Sequence, residues 1–271
     1  LKGHQQVTTH TDRRLTGYKA NESGVAVSFA DGSSATGDVL VGADGIHSAI
    51  RKGMLGPDPA RFTGNIAWRG TISAGPELKR LIPPTACVWT GDKRHAVTYY
   101  LRGGDLINFV GIVEDRKWCE ENWKQEGKVA TLKSLYEDFA SPIRALLDEM
   151  ETCFFWALHD RPPLSAWSDK RTILIGDAAH PMLPFLAQGA VMAIEDAYAL
   201  SVLLDKYSAK PEKALMYFEA TRKPRTSKVQ ARSSANMHVF HQSGTLKETL
   251  MYGPMRVAAS ATPGLIYSRQ D

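Results

Sequence analysis

The chain has 271 residues, 43% of them hydrophobic, and a net charge of +4. That is apolar material enough for one large or two smaller cores, and the mild charge, with no lysine or arginine run, argues against nucleic acid and suits anionic small molecules. Cys87, Cys119 and Cys153 lie far apart with no Cys-x-x-Cys pair, which argues against a disulfide framework or zinc site. No segment reaches the ~18 apolar residues of a membrane span or carries a signal-peptide pattern, so a soluble cytoplasmic protein is expected.

From Leu1 to Val41 apolar residues alternate with polar and turn residues. Val25–Phe29 is predicted to form a strand, Asp31-Gly32 a hairpin turn, and Asp38–Val41 a second strand entering Gly42-Ala43-Asp44-Gly45. A short helix is expected from Ser48 to Arg51. A strand, a Gly-containing turn and a helix form a general device for approaching a nucleotide.

Between Phe62 and Phe155 the sequence turns rich in β-branched and aromatic residues. Ile66–Ile72, Ala86–Trp89, Ala96–Leu101 and Leu106–Val113 read as strands separated by Gly91-Asp92 and Gly103-Gly104-Asp105, the pattern of an antiparallel sheet. His95 and Tyr99 share one face of a regular strand. They could relay a proton from a substrate hydroxyl, or His95 could sit in a solvated hairpin beside Lys93 and Arg94 while Tyr99 packs in the core. Arg69 could pair with a substrate carboxylate or simply lie on an exposed strand face. A helix follows, with Leu132, Leu135, Tyr136, Phe139, Ile143, Leu146 and Leu147 on its apolar side.

Residues Thr172–Ile175 read as a buried strand ending at Gly176-Asp177, where the carboxyl end of a strand in an α/β sheet opens onto a ligand crevice. After Pro181 and Pro184, a helix is expected from Gln188-Gly189. Its apolar face is assigned to Val191, Ile194, Ala197 or Tyr198, and Val202. Small residues at its start (Ala187, Gly189, Ala190) leave first-turn N–H groups open to an anion. A long helix from Glu212 to about Met237, interrupted near Lys223-Pro224, carries Arg222, Lys223, Arg225, Lys228 and Arg232 as a solvated basic face. His238 and His241 are spaced like a metal pair but have no evident third ligand, so no metal is assigned. The tail from Tyr252 looks loosely packed.

Two of these stretches carry a resemblance. Asp44, Gly45, Ser48 and Arg51 fill an Asp-Gly-x-x-Ser-x-x-Arg pattern, and Gly176-Asp177 leads into Ala187-Gln188-Gly189-Ala190. The chain resembles the single-component FAD-dependent aromatic hydroxylases, the group of salicylate hydroxylase, 3-hydroxybenzoate 6-hydroxylase and 6-hydroxynicotinate 3-monooxygenase. Ala187 departs from the Gly of many relatives, and the form Ala-Gln-Gly-Ala is similar to the hydroxynicotinate and hydroxybenzoate branch. The resemblance implies that Asp44, Gly45 and Arg51 shape the turn near the FAD pyrophosphate and NAD(P)H; the alternative for Arg51 is a buried Asp–Arg pair that only shapes the turn, and the two roles can coexist. It implies that Asp177 binds the ribityl chain and that Pro184 to Ala190, including Gln188 and Gly189, lies along the flavin ring. His95, Tyr99 and Pro184 are then the catalytic candidates. Leu265-Ile-Tyr267 and Asp271 resemble the family's C-terminus.

The Gly-x-Gly-x-x-Gly turn that the family uses for the ADP half of FAD occurs nowhere in the chain. The expectation is therefore a mixed α/β protein: a Rossmann-like FAD-binding domain, incomplete at its N-terminus by roughly a hundred residues, with an inserted, mainly antiparallel substrate domain. The boundaries expected are 1–61 and 158–205 for the FAD-binding part, 62–157 for the substrate sheet and 206–271 for a C-terminal helical segment. The function implied is hydroxylation of a small aromatic hydroxy acid with NADH or NADPH and O2 through a flavin C4a-hydroperoxide, without nucleic-acid or membrane partners and with a homodimer allowed for. The alternatives are a related monooxygenase or epoxidase acting on a nonaromatic substrate, and a noncatalytic truncated remnant.

Overall fold

A computed structural model describes residues 6–115 and 125–241. In chain order they form β1 (Leu15–Ala20), β2 (Val25–Phe29), β3 (Ser34–Gly37), β4 (Leu40–Gly42), α1 (Ala49–Leu55), β5 (Arg61–Ser73), α2 (Pro76–Leu81), β6 (Cys87–Gly91), β7 (Arg94–Leu101) and β8 (Leu106–Glu114). Then come β9 (Gln125–Gly127), α3 (Val129–Leu135), α4 (Ser141–Asp148), β10 (Cys153–Asp160), β11 (Ser168–Asp169), β12 (Thr172–Leu174), α5 (Gly189–Lys206) and α6 (Pro211–Phe240). The expected features of the tail beyond Tyr252 lie outside the described residues, as does Cys119. Two compact units emerge: the first runs to Ala60 and resumes from Arg161 to Ser233, and the second runs from Arg61 to Asp160 and resumes at Ser234. Among the described residues no helix is long and apolar enough to cross a membrane.

In the first unit, β1, β2 and β3 form an antiparallel meander. The strand expected over Asp38–Val41 forms as the shorter β4, Leu40–Gly42, and β3 precedes it as a strand that the sequence reading did not assign. β4 pairs in parallel with β12, Leu40 opposite Thr172 and Gly42 opposite Leu174, although more than a hundred residues separate them in sequence. Both strands therefore end at the same edge of the sheet, and each runs directly into one of the two motif turns. Gly42 is closely covered: a Cβ there would lie 2.7 Å from a Leu174 methyl and 3.1 Å from an Ile50 methyl, so side chains on two elements would have to shift to admit it. Ile50, Trp167, Ile173, Leu174, Leu200, Leu215 and Phe218 form the core beneath.

Two helices depart from expectation. On α5 the stripe Val191, Ile194, Tyr198 and Val202 is exposed, Ile194 at 70% and Tyr198 at 74%, while Met192, Asp196 and Leu200 are buried. The helix turns inward the face whose aspartate can satisfy backbone at the end of β12, a long-range bond that hydrophobic periodicity does not register. α6 runs unbroken through Pro224. Proline removes one helical donor, and the turn after it is tied by Thr226 Oγ1, which donates to the carbonyls of Arg222 and Lys223. The helix is also pinned by a buried polar stripe, Arg222, Thr226, Gln230 and Ser233. Arg222 is consequently buried, not part of a solvated basic face; Arg225, Lys228 and Arg232 remain exposed.

The second unit is a six-stranded antiparallel sheet in the order β6-β7-β8-β5-β10-β9. The period-two alternation of its strands divides two faces. Ile66, Trp68, Ile72, Ala96, Ile107 and Phe109 belong to a core with Leu132, Tyr136, Ile143 and Leu146, and Trp68 stacks on Phe155 with ring centroids 4.7 Å apart. The single helix expected there is two, α3 and α4, with Pro142 in the first turn of the second. Register puts His95, Val97 and Tyr99 of β7 beside Ile112, Val110 and Asn108 of β8. The same face continues onto Ala67, Arg69 and Thr71 of β5.

Candidate active site

The first turn, after β4, is built around Gly45, whose φ of +77° falls where a side chain would be strained. Asp44 Oδ2 accepts hydrogen bonds from the N–H groups of Ala49 (2.8 Å) and Ile50 (3.2 Å), and Ser48 Oγ accepts one from Arg51 N (2.8 Å). Both side chains satisfy the open N–H groups at the start of α1. Arg51 is almost fully buried. Its Nε donates to Asp58 at 2.6 Å, and its Nη1 donates to the carbonyl oxygens of Ala178 (3.1 Å) and Ala179 (3.3 Å). Arg51 thus fastens the first turn to the second from behind. Burial lowers its pKa, and Asp58 opposes the shift. Arg161, which donates to the Ile46 carbonyl at 3.0 Å, comes within 3.4 Å of the same Asp58 oxygen.

The second turn, after β12, is a tight turn over Gly176–Ala178 with Gly176 at φ +56°. Behind it lies Asp196, with no exposed surface. Its carboxylate accepts from Gly176 N (3.0 Å), His180 Nε2 and Arg222 Nε (2.7 Å), and Arg222 Nη1 continues to Glu195 at 2.7 Å. Burial alone would raise the Asp196 pKa, but the bonds from His180 and the Gly176 N–H, with the charges around them, outweigh it and hold the group below the ordinary aspartate value. Asp177 points out of this framework. It is exposed, yet neighbouring protein withdraws enough water to raise its pKa, with His180 pulling the other way.

The loop that follows is anchored by α6, where Gln230 Nε2 donates to the Pro181 carbonyl (2.7 Å) and Ser233 Oγ to the Leu183 carbonyl (2.5 Å). Ala187 adopts the left-handed conformation, φ 51° and ψ 31°, and α5 follows Gln188, its N-cap residue, whose side chain makes no capping bond. A groove of about 640 Å³ results, lined among others by Ala43, Gly45, Gly176, Asp177, Pro184, Ala187, Gly189 and Ala190. Of the residues proposed from sequence, the groove gathers Gly45, Asp177, Pro184, Gly189 and Ala190. Asp44 and Arg51 support it without lining it, and Gln188 occupies the helix cap, its carbonyl accepting from Met192 N at 2.9 Å. The first N–H groups of an α-helix have no partner within it, so an open helix start, a free-standing carboxylate and small side chains meet in one place.

His95 and Tyr99 belong to the other unit. His95 is 1% exposed, so it does not sit in a solvated hairpin. Its Nδ1 lies 2.7 Å from His241 Nε2, and His241 Nδ1 lies 2.8 Å from Glu114 Oε1. Tyr99 is half-buried opposite Asn108. Arg69 is exposed and donates through Nε to Asn108 Oδ1 at 3.0 Å. Among the described residues no group of three or more His, Cys, Asp or Glu is arranged to hold a metal; His241 is engaged with His95 instead of pairing with His238 around an ion. The residues that sequence reasoning missed are Asp196, Arg222, Gln230, Ser233, His241 and Glu114. The one signal available for the first two was a charge interrupting an otherwise apolar helical stripe.

Comparison with known proteins adds four findings. The family model described as FAD binding domain matches residues 2–233. The chain is 36% identical over 226 residues to a 3-amino-4-hydroxybenzoate 2-monooxygenase of Streptomyces platensis, covering 83% of this chain and 57% of that protein. It is 38% identical over 217 residues to a 6-hydroxynicotinate 3-monooxygenase of Pseudomonas fluorescens, covering 78% of this chain and 56% of that protein. Among solved structures, a salicylate hydroxylase substrate complex superposes with a TM-score of 0.77 at 28% identity, covering 90% of this chain and 67% of the other. The chain thus spans somewhat more than half the length of these two curated relatives.

Proposed function

The chain belongs to the FAD-binding-domain family of the aromatic hydroxylases, and on that premise we propose that it serves an NAD(P)H- and O2-dependent monooxygenase that hydroxylates a small aromatic hydroxy acid. The observation that carries this reading is the groove in which both motif turns meet the open start of α5. Its make-up suits FAD. An exposed carboxylate at Asp177 can accept hydrogen bonds from sugar-alcohol hydroxyls, and the N–H groups at Gly189 and Ala190 favour negative charge through the helix dipole. The absence of bulky side chains at Ala43, Gly45, Ala187 and Gly189 leaves room for a flat ring system. Relatives named for hydroxybenzoates and hydroxynicotinate support an aromatic acid as the substrate class.

FAD, when bound, would supply hydride acceptance and oxygen activation, for which no side chain is suited. The rest is the work of the protein. Asp177 and the α5 N-terminus orient the cofactor; Pro184 forms part of the groove wall near the ring; Asp44 and Arg51 keep the first turn in shape. His95 and Tyr99 withdraw the proton from the substrate hydroxyl, which makes the ring electron-rich enough to accept oxygen.

The test is titration of FAD into the chain, and into a form extended upstream from its source DNA, followed by visible absorption and flavin fluorescence. The expected result is a shifted flavin spectrum in the extended form and an affinity loss of about 10- to 100-fold on Asp177→Ala, the worth of a hydrogen bond to a charged group. In the extended form, aromatic hydroxy acids should stimulate NAD(P)H oxidation and yield a product one oxygen heavier by mass. Failure of both forms to bind flavin overturns the reading.

A further inference from the structure

We infer that His241 and Glu114 are positioning residues that fix the tautomer of His95 and carry its proton to the protein surface. The inference rests on the reading of His95 as the base, and its argument starts from donors and acceptors. An ionised carboxylate can only accept. Glu114 Oε1, 2.8 Å from His241 Nδ1, therefore calls for the proton to be on that nitrogen. His241 Nε2 is then left with its lone pair and, 2.7 Å away, must accept from His95 Nδ1. The second ring nitrogen of His95, Nε2, is consequently the basic one. Two hydrogen bonds thus convert a fixed charge at Glu114 into a defined protonation site on a histidine that sits four strand positions from Tyr99, on the same face of β7.

Storage of a proton on His95 is unfavourable: it is buried, and burial together with its neighbour His241 pushes its pKa down to about 3. A base in that setting works only by handing a proton onward. As Nε2 gains one, the Nδ1 proton passes to His241 Nε2 and the His241 Nδ1 proton passes to Glu114, which is one-third exposed and can release it to water. When the hydroxylated ring recovers its phenolic proton, the same chain runs backwards and restores the starting tautomers. The charged or titratable groups around His241 are Glu114 on β8, His95 on β7, Asp92 in the β6–β7 turn and His238 on α6. Burial lowers the His241 pKa, Glu114 and Asp92 oppose this, and His238 adds to it. The surroundings of His95 are fixed as well: Tyr136 Oη donates to its backbone carbonyl at 2.9 Å from the core face of the sheet, and the Phe240 ring lies 5.1 Å from its imidazole.

Nitrogen-15 NMR of the imidazole groups in this chain reads the tautomers without cofactor or turnover. The expected result is Nδ1-protonated His95 and Nδ1-protonated His241 at neutral pH, with Glu114→Ala shifting His241 towards a mixture. An Nε2-protonated His95 overturns the inference. His241→Gln separates positioning from transport, because an amide oxygen can still accept from His95 Nδ1 but cannot pass a proton on. In the extended enzyme, formation of the substrate phenolate after rapid mixing should slow at least about tenfold in His241→Gln, in the range of general-base contributions, and recover in part at higher pH. Glu114→Gln, near the surface, gives the same direction with little cost to folding. A wild-type rate in His241→Gln beside a slow His95→Gln overturns the conduit and leaves His95 as the base; wild-type rates in both overturn the reading of His95 and the conduit with it.

Discussion

In the first unit, the turns that line the groove are held from behind by buried charge; in the second, the face carrying His95 and Tyr99 is held by strand register above an apolar core. The contrast follows from backbone hydrogen bonding. A turn at the end of a strand has no ladder to satisfy its N–H and C=O groups, so side chains must do it. Arg51 donates to the carbonyls of Ala178 and Ala179, Asp196 accepts from Gly176, and Gln230 and Ser233 donate to the loop at Pro181 and Leu183. A sheet satisfies its own backbone. Its outward face can then carry His95, Tyr99, Asn108 and Arg69 without any of them being needed to keep the strands paired.

The largest expected effect comes from breaking the charge network. Asp196→Ala leaves Arg222 and His180 buried without their carboxylate, and a loss of about 3–5 kcal/mol is expected. Urea unfolding measures it, and a loss below about 1 kcal/mol would show that the network does not hold the turns. The pH dependence has a definite sign. The Asp196 pKa is depressed on folding, so its contribution is fully present above the unfolded aspartate value of about 3.9 and is lost as pH falls below that towards the folded pKa. Wild-type stability should therefore drop through this acid window more steeply than that of Asp196→Ala.

Legibility in the sequence divides along the same line. Strands β2, β7 and β8 follow from alternation and turn residues, and the two motif turns follow from glycine and aspartate at strand ends, because these are local consequences of local chemistry. The apolar stripe on α5 was assigned to the wrong side because burial of Asp196 is rewarded by Gly176, twenty residues away, and by Arg222 on another helix. Continuity of α6 through Pro224 was hidden for a similar reason: its anchors at Pro181 and Leu183 are about fifty residues distant. The approach of His241 to His95 spans 146 residues, and nothing in the pattern of either segment announces it.

A single polar pin in the sheet should matter less than one in the turns. Tyr136 is fully buried, and its hydroxyl donates to the carbonyls of His95 (2.9 Å) and Ile112 (3.3 Å), groups that already lie within the β7–β8 ladder. Tyr136→Phe keeps the ring among Phe109 and Phe139, and about 1 kcal/mol of destabilisation is expected, the net worth of one hydrogen bond. A cost equal to that of Asp196→Ala would erase the distinction between the units.

The smallest effect has the opposite sign. Ala187 holds φ at +51°, where an L-residue is strained by about 1–2 kcal/mol, and its N–H closes the turn onto the Pro184 carbonyl at 3.0 Å. Ala187→Gly relieves that strain but gives the unfolded chain more freedom, an offset of about 0.5–1 kcal/mol. The net gain should be about 0.5 kcal/mol, a rise in Tm of roughly 1–2 °C for a protein of this size. The gain requires that the loop keep its left-handed turn between the anchors at Leu183 and the α5 cap; a fall in Tm would mean that it does not, and that the α5 start is positioned by something other than this turn. The substitution also removes one methyl group from the groove lining while leaving the Asp196 and Arg51 contacts untouched. Its effect on flavin affinity therefore separates the shape of the groove from the network behind it.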